Sequence, residues 1–209
     1  MMLTTIAAAA ATIAGCPLFP ASWSTNQRVD ALPVAPDSSA IVRSIGLDRS
    51  LKADFGSGLW EGGPIGIPYD VVNRRTKRSR VRFGYAGESD RVRYPIPRDV
   101  RIEGGPGGDG DRHALLVDRN RCKLFELYEL RRQDGLWTAG SGAVWSLRSP
   151  RLRPARVVAR AMQEYGLIVA DNGSDWYVTG APHPRWDNEQ LRQLGRLRGS
   201  DFEVVRAPV

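Results

Sequence analysis

The sequence predicts a mainly β-fold: a single sandwich-like or jelly-roll-like, or else barrel-like, domain with two or three short helices. Between residues 46 and 147 the apolar residues fall into short runs that glycine and proline separate, as in sheets joined by tight turns. The chain has 209 residues, a length that suits one well-packed domain. Beyond the first residues, no internal repeat or low-complexity linker divides it. These observations favour one β-rich domain.

The chain opens with an apolar, alanine-rich segment, residues 3–15. This segment is too short to span a bilayer but has the length of a signal-peptide core. We therefore predict a signal peptide over residues 1–15 and a single β-rich domain over residues 16–209. The alternative is a buried N-terminal helix. Export would place the protein in the cell envelope or outside the cell.

Two cysteines, Cys16 and Cys122, have two competing fates in an exported chain. The sequence Ile13-Ala14-Gly15-Cys16 resembles the lipobox of bacterial lipoproteins, in which the cysteine is lipidated and anchors the protein to a membrane. In an oxidising compartment the two cysteines could instead form a disulfide. One sulfur cannot do both, and Pro17 suits a lipobox poorly.

Local patterns predict the elements of the first two thirds of the chain. A short helix is expected over Ser38–Ile45, with Asp37 or Ser38 as its N-cap and Gly46 after its end. Strands are expected at residues 65–69, 80–85, 114–117, 123–130 and 143–147. In the strand 123–130, residues 124, 126, 128 and 130 share one face and 125, 127 and 129 share the other. Both faces are largely apolar, which indicates a central strand.

After Pro150 the pattern changes. Residues 156–165 carry a helical apolar stripe. The Asn-Gly pair at residues 172–173 predicts a hairpin between residues 167–170 and 176–179. Asp187 is expected to cap a short helix that runs to Leu194, and residues 202–205 are expected to form a last strand.

The net charge of +7 comes from arginine, because only three of the 30 basic residues are lysine. A basic balance can indicate nucleic acid or an anionic polymer as partner. No basic stripe interleaved with aromatic residues accompanies the charge, so a solvated arginine-rich surface is favoured and nucleic acid is not expected.

Familiar catalytic motifs are missing from the sequence: it contains no G-x-S-x-G, H-E-x-x-H, P-loop or C-x-x-C. Only two histidines are present, His113 and His183, so no metal site is expected. No cofactor can be assigned. The sequence motifs assign no reaction to the protein.

Two polar clusters are the candidate sites. The first combines Glu88 and Asp90, as ligand-binding residues, with a glycine-rich stretch that holds Glu103, Asp111 and His113, the candidate catalytic residues. The alternative is a solvated, acidic turn.

The second cluster offers Asp171, Asn172 and Trp176 as ligand-binding residues, and its alternative is a hairpin turn built on Asx chemistry. Tryptophans could also provide stacking platforms for a sugar ring; these are Trp137, Trp145, Trp176 and Trp186. We predict that the loop with Glu103, Asp111 and His113 lies beside the Asp171–Trp176 turn and forms one polar cleft with it, because strand ends commonly carry ligand sites.

Many short phrases, in order, resemble a widespread family of secreted bacterial proteins and lipoproteins of uncharacterised activity. They include Cys16-Pro17-Leu18-Phe19-Pro20, Gly66-Ile67-Pro68-Tyr69, Glu88-Ser89-Asp90, Tyr94-Pro95-Ile96-Pro97, Ile102-Glu103-Gly104-Gly105, Gly110-Asp111-Arg112-His113 and Ala170-Asp171-Asn172-Gly173-Ser174. The resemblance implies export. It also implies a cysteine at both positions, 16 and 122, and so favours the disulfide over lipidation.

The chain departs from the family pattern in two places. Members usually carry a Trp-Asn pair after the Phe-Pro phrase, where this chain reads Ser22-Trp23-Ser24-Thr25-Asn26. Members also carry a long central segment after the phrase Leu152-Arg153-Pro154, and that segment is missing here. The chain thus resembles an internally deleted member.

Two hypotheses for the function remain. The first is an exported protein that binds or acts on a polysaccharide or cell-wall glycan. The second is a non-catalytic envelope lipoprotein or interaction module, with Cys16 as its anchor.

Overall fold

The computed structural model describes residues 12–20, 32–149 and 174–206. These ranges are mainly β, which confirms the predicted fold class. The strands are β1 (Thr12–Ile13), β2 (Cys16–Pro17), β3 (Lys52–Asp54), β4 (Leu59–Trp60), β5 (Gly63–Pro64), β6 (Tyr69–Val72), β7 (Val81–Phe83), β8 (Ala114–Asp118), β9 (Lys123–Tyr128), β10 (Arg131–Gln133), β11 (Leu136–Ala139), β12 (Ser141–Ser146) and β13 (Tyr177–Thr179). The helices are α1 (Ser38–Ile45) and α2 (Asn188–Arg192), with 3-10 turns at Gln193–Arg196 and Gly199–Asp201.

The largest sheet has four strands in the order β12-β9-β8-β6. Strands β12, β9 and β8 are antiparallel neighbours, whereas β6 runs parallel to β8. Strand β9 therefore lies inside the sheet, as its two apolar faces predict. Its inner face carries Phe125 and Leu127, which pack with Leu116 and Tyr94 in the main core.

A second sheet has three strands in the order β10-β11-β7. Val81, Phe83 and Trp137 from this sheet pack against the same core. The two sheets thus bury their apolar faces against one another's side chains, which is the physical reason that short β-strands can be stable here.

A disulfide joins Cys16 to Cys122, with an S–S distance of 2.08 Å, and confirms the predicted pairing. Both cysteines are buried with Val117 and Leu147 in a second core, which we call the disulfide cluster. The β1–β2 hairpin lays Ile13 against this cluster. The end of the predicted signal segment, residues 12–15, is part of this hairpin.

The structure contains both predicted helices, and each follows an aspartate at its N-cap position. Helix α1 spans Ser38–Ile45, with Asp37 at its N-cap and Gly46 at its C-cap. Helix α2 begins after Asp187, whose carboxylate accepts hydrogen bonds from the backbone N–H groups of Glu189 and Gln190. The 3-10 turn Gln193–Arg196 carries this helix on to the predicted end.

The predicted strand at residues 65–69 is wrong except for Tyr69, which begins β6. Gly66 adopts a φ of 109°, which extended strands do not use, and its Cα approaches the carbonyl of Gly180 so closely that a Cβ would lie 2.2 Å from the oxygen. The N–H of Ile67 donates to that same carbonyl. Residues 65–68 are therefore a bent segment that packs closely against the backbone of Gly180.

The predicted strand at residues 123–130 ends early, at Tyr128. Glu129 has a φ of 53°, so the alternation of faces stops there. As a result Leu130 is fully buried in the main core with Phe125 and Leu127, although the pattern placed it on the opposite face. The predicted last strand, residues 202–205, is reduced to one bridge between Val205 and Val34.

The predicted helix at residues 156–165 and the first hairpin strand, residues 167–170, lie outside the described residues. The second hairpin strand is present as β13, which pairs in parallel with β3. In the described ranges no helix is both long and apolar enough to cross a bilayer.

Candidate functional site

The outer face of the four-stranded sheet carries the candidate site. Because side chains alternate along a strand, the residues that do not enter the main core point to this face. Register places Leu115 of β8 opposite Glu126 of β9, and Glu126 opposite Ala143 of β12. One end of the face is covered by the disulfide cluster around Val117. The other end is polar and partly exposed.

Glu103 and His113 form an ion pair at this polar end. The Nδ1 atom of His113 lies 2.8 Å from Oε2 of Glu103, and the backbone N–H of His113 donates to the same oxygen at 3.2 Å. The backbone N–H of Glu103 returns a hydrogen bond to the carbonyl of His113 at 2.9 Å. Three bonds therefore hold the two predicted catalytic residues in one fixed arrangement.

The pair shifts both pKa values in the direction of the charged forms. The hydrogen bond to Glu103 raises the pKa of His113, against burial, and the charges of Glu103, Glu126 and Asp111 add to the rise. Burial raises the pKa of Glu103, but the hydrogen bonds from His113 outweigh it and leave that pKa below its ordinary value. Glu103 thus remains a carboxylate, and His113 holds its proton to higher pH than a free imidazole.

Aromatic side chains and a second carboxylate surround the pair. The rings of His113 and Tyr128 lie 5.5 Å apart between centroids and are tilted by 50°. The indole Nε1 of Trp145 donates to Oε2 of Glu126 at 3.2 Å. We call Glu103, His113, Glu126, Tyr128 and Trp145 the outer-face site. It combines hydrogen-bond acceptors, a proton donor and aromatic rings.

Asp111, the third predicted catalytic residue, is exposed beside this site. Its carbonyl accepts a hydrogen bond from the N–H of Glu129 at 2.8 Å, which ties the glycine-rich stretch to the end of β9. Its carboxylate acts on His113 through charge. The structure therefore brings Glu103, Asp111 and His113 together, as the sequence predicts.

A buried arginine organises the glycine-rich stretch. Arg112 is 6% exposed, and its guanidinium donates to the carbonyls of Leu130, Gly105 and Gly108 at 3.2, 3.1 and 2.6 Å. Arg112 thus fixes the stretch from its buried side, while Gly104, Asp109 and Asp111 stay exposed, as the solvated-turn alternative also expects. The sequence pattern pointed to the acids and did not point to Arg112. A buried arginine that donates to backbone carbonyls leaves no local pattern in the sequence.

Glycines make the approach of two loops possible at this place. A Cβ on Gly63 would lie 2.4 Å from the carbonyl carbon of Gly104, and one on Gly105 would lie 3.1 Å from the carbonyl oxygen of Gly62. The β4–β5 hairpin therefore packs backbone to backbone against the loop that carries Glu103.

The Glu88–Asp90 segment has a structural role that the sequence analysis did not foresee. Oδ2 of Asp90 accepts from the N–H of Val144 at 2.9 Å, and the hydroxyl of Ser89 accepts from the N–H of Gly142 at 3.2 Å. The segment thus provides hydrogen-bond acceptors for backbone N–H groups on β12, an edge strand of the sheet. Glu88 is exposed. Ligand binding by Glu88 and Asp90 stays a prediction.

The second predicted cluster is only partly described. Asp171 and Asn172 lie outside the described residues. The indole of Trp176 donates to the carbonyl of Gly46 at 3.0 Å and packs on Phe202, with 4.9 Å between ring centroids. These contacts make Trp176 a packing residue at the end of α1. The predicted single cleft, which needs this turn beside the outer-face site, stays a prediction.

In the part of the chain that the structure describes, no three His, Cys, Asp or Glu side chains gather in a way that could hold a metal ion. Comparison with known proteins finds no match, either to a protein-family model, to a curated protein or to a solved structure.

Proposed function

We propose that this protein is exported and binds a glycan through the outer-face site in the cell envelope or outside the cell. The observation that carries the proposal is the outer-face site itself, in which Glu103 and Tyr128 contact His113. Trp145 donates to the neighbouring Glu126, whose charge acts on His113. Carboxylates accept hydrogen bonds from sugar hydroxyls, and aromatic rings supply flat apolar surface. Binding sites commonly combine these two kinds of group.

The disulfide and the N-terminal sequence support export. A Cys16–Cys122 bond is compatible with an extracytoplasmic location, because structural disulfides form and persist in oxidising compartments. The apolar segment at residues 3–15 has the composition of a signal core. The resemblance to the secreted bacterial family agrees with both and belongs to the same proposal. A Cys16 in the disulfide has no thiol left for a lipid anchor.

The chemistry of the outer-face site favours binding of a glycan, and hydrolysis of the glycan is the second possibility that we test. Glu103 is held as a carboxylate, so it is suited to accept a hydrogen bond or a proton. His113 is held in its protonated form to higher pH and is suited to donate. If the protein cleaves a glycan, we assign proton transfer to His113 with Glu103 and Asp111 as its supporting carboxylates.

A glycan array with the purified, oxidised protein tests the proposal. Neutral oligosaccharides that bind are then titrated against Glu126→Gln and Tyr128→Ala, with Glu203→Gln, an exposed acid outside the outer-face site, as a control. Loss of a hydrogen bond or a stacking ring is expected to weaken binding by about tenfold, and the control is expected to change it little. A reducing-sugar assay on each hit separates binding from hydrolysis.

The proposal fails if no neutral glycan binds, or if the control variant loses as much affinity as the two site variants. The first result would favour the alternative, a non-catalytic interaction module. Melting temperatures of all variants show whether a loss of binding is a loss of folding.

A further inference from the structure

A second concave surface lies away from the outer-face site, beside β7. Ser79 and Tyr94 pair through two backbone hydrogen bonds of 2.8 and 2.9 Å, and beyond this bridge the two segments diverge. The cleft between them has a volume of about 470 Å³. Val81 and Phe83 form part of its floor and are held in place because they also pack against the main core.

Three arginines line this cleft, Arg80 from one wall and Arg91 and Arg93 from the other. All three are exposed. Arg91 uses Nε to donate to the carbonyl of Ala86 at 3.2 Å, which orients the guanidinium and leaves its terminal nitrogens available. Within the described ranges none of the three pairs with a carboxylate.

No carboxylate lines the cleft among the described residues, and two acids on neighbouring segments have other partners. Asp90 accepts a hydrogen bond from the backbone of β12, and Asp118 pairs with Arg78 and Arg121. Glu88 is exposed and does not line the cleft. Three unneutralised guanidinium groups around one concave surface repel each other and create a positive potential that an anion would relieve.

We propose that this arginine cleft binds an anionic group, a carboxylate or a phosphate, of a ligand whose apolar or ring portion rests on Val81 and Phe83. Guanidinium groups bind such groups through paired N–H donors, which gives both charge and geometry. The volume lies in the range of small-ligand sites. This inference does not depend on the glycan proposal, because it concerns another surface and another chemistry.

Two sources supply this chemistry, a sugar carboxylate and a sugar phosphate. Titration of the full chain at low salt with tetragalacturonate and with glucose 6-phosphate distinguishes them, and maltotetraose is the neutral control. We expect binding of at least one anionic probe, weakened as salt rises, and no binding of maltotetraose at this cleft.

Matched variants separate the cleft from the net charge of the protein. The cleft variant carries Arg80→Gln, Arg91→Gln and Arg93→Gln, and the control variant, with the same change in net charge, carries Arg74→Gln, Arg75→Gln and Arg196→Gln. We expect the affinity for the anionic probe to fall by about tenfold or more in the cleft variant and by about twofold or less in the control. A third variant, with lysine at the three cleft positions, keeps the charge but loses the paired donors and is expected to bind more weakly than the wild type.

The inference is overturned if neither anionic probe binds at low salt. It is also overturned if the cleft and control variants lose affinity equally, since binding would then follow net charge alone. Full affinity in the lysine variant would refute the paired-donor geometry. Circular dichroism and melting curves confirm that each variant is folded, and the neutral glycans of the outer-face site provide a separate readout that the cleft variant should leave unchanged.

Discussion

Removal of the disulfide is the most direct test of how this chain is stabilised. Cys16 and Cys122 are separated by 106 positions, so their bond closes a loop that includes half of the chain. In the chain-entropy model, a loop of about 100 residues stabilises the folded state by about 4.7 kcal/mol, because it restricts the unfolded chain. The variant Cys16→Ser/Cys122→Ser loses this restraint and also places two hydroxyls in a buried apolar cluster.

For a chain of this size a loss of 1 kcal/mol lowers the melting temperature by about 2–4 °C, so we expect a drop of roughly 10–20 °C. Urea unfolding followed by tryptophan fluorescence measures the free energy. The dependence on urea should become steeper in the variant, because the unfolded chain without the bond exposes more surface. Hydrogen exchange at residues 16–20 should rise most, since the bond attaches this segment to Cys122 in the disulfide cluster.

The wild-type protein treated with a reductant is the matched control, because it lacks the bond but keeps both sulfurs. We expect it to unfold at nearly the same urea concentration as the double variant. A melting temperature that changes by less than about 3 °C on reduction would refute the argument from loop closure. A destabilised variant beside an unaffected reduced protein would assign the effect to packing of the sulfurs instead.

Four further measurements test the outer-face site and the contacts that support the fold. Glu103→Gln should lower the pKa of His113 toward its ordinary value of about 6.5, as a proton NMR titration of the imidazole would show; an unchanged pKa would contradict the ion pair. Because the folded pKa of His113 is raised and that of Glu103 lowered, the pair should stabilise the wild type most between about pH 4.5 and 6.5. Its contribution should fade as pH rises through the folded pKa of His113 or falls through that of Glu103, and the stability difference between wild type and variant, measured across pH, checks both limits. Gly63→Ala should destabilise by roughly 1–3 kcal/mol in urea unfolding because of the backbone contact behind it, whereas Gly87→Ala, with open space around it, should not. Asp118→Ala should lower the free energy of unfolding by about 2–4 kcal/mol, since this fully buried carboxylate accepts from two guanidinium groups and two backbone N–H groups. A melting curve equal to that of the wild type would contradict this, because it would mean that water satisfies these donors as well as the carboxylate does.

Sequence patterns predicted the elements whose stability is local. Helix α1 has the predicted ends, Ser38 and Ile45, because Gly46 with its positive φ ends the helix within the same short segment; the side chain of Asp37 makes no capping hydrogen bond. The start of α2 is local too, because the carboxylate of Asp187 caps its first turn. The interior position of β9 was also predicted, since a strand with two apolar faces must be covered on both sides.

The candidate site was predicted in part. Glu103, Asp111 and His113 were selected as acids and a histidine close together in a glycine-rich stretch, and ten positions of chain separate Glu103 from the histidine that binds it. Glu126 and Tyr128 were not selected, although their strand and their common face were predicted. Register with β8 places them beside His113, and register depends on the pairing of whole strands.

By itself the sequence predicted the β-rich class, the starts of helices α1 and α2 and two of the acids beside His113, Glu103 and Asp111. It left the cysteines between two fates, and the resemblance favoured the disulfide that the structure contains. Only the tertiary structure decided that Arg112 holds the glycine-rich loop, that Asp90 caps the edge of β12, and that three arginines meet around one cleft. The physical reason is the range of the interactions. Caps, turns and periodic burial act within a few residues and leave a pattern, whereas a buried guanidinium or a shared cleft depends on segments that meet only after the sheets have formed.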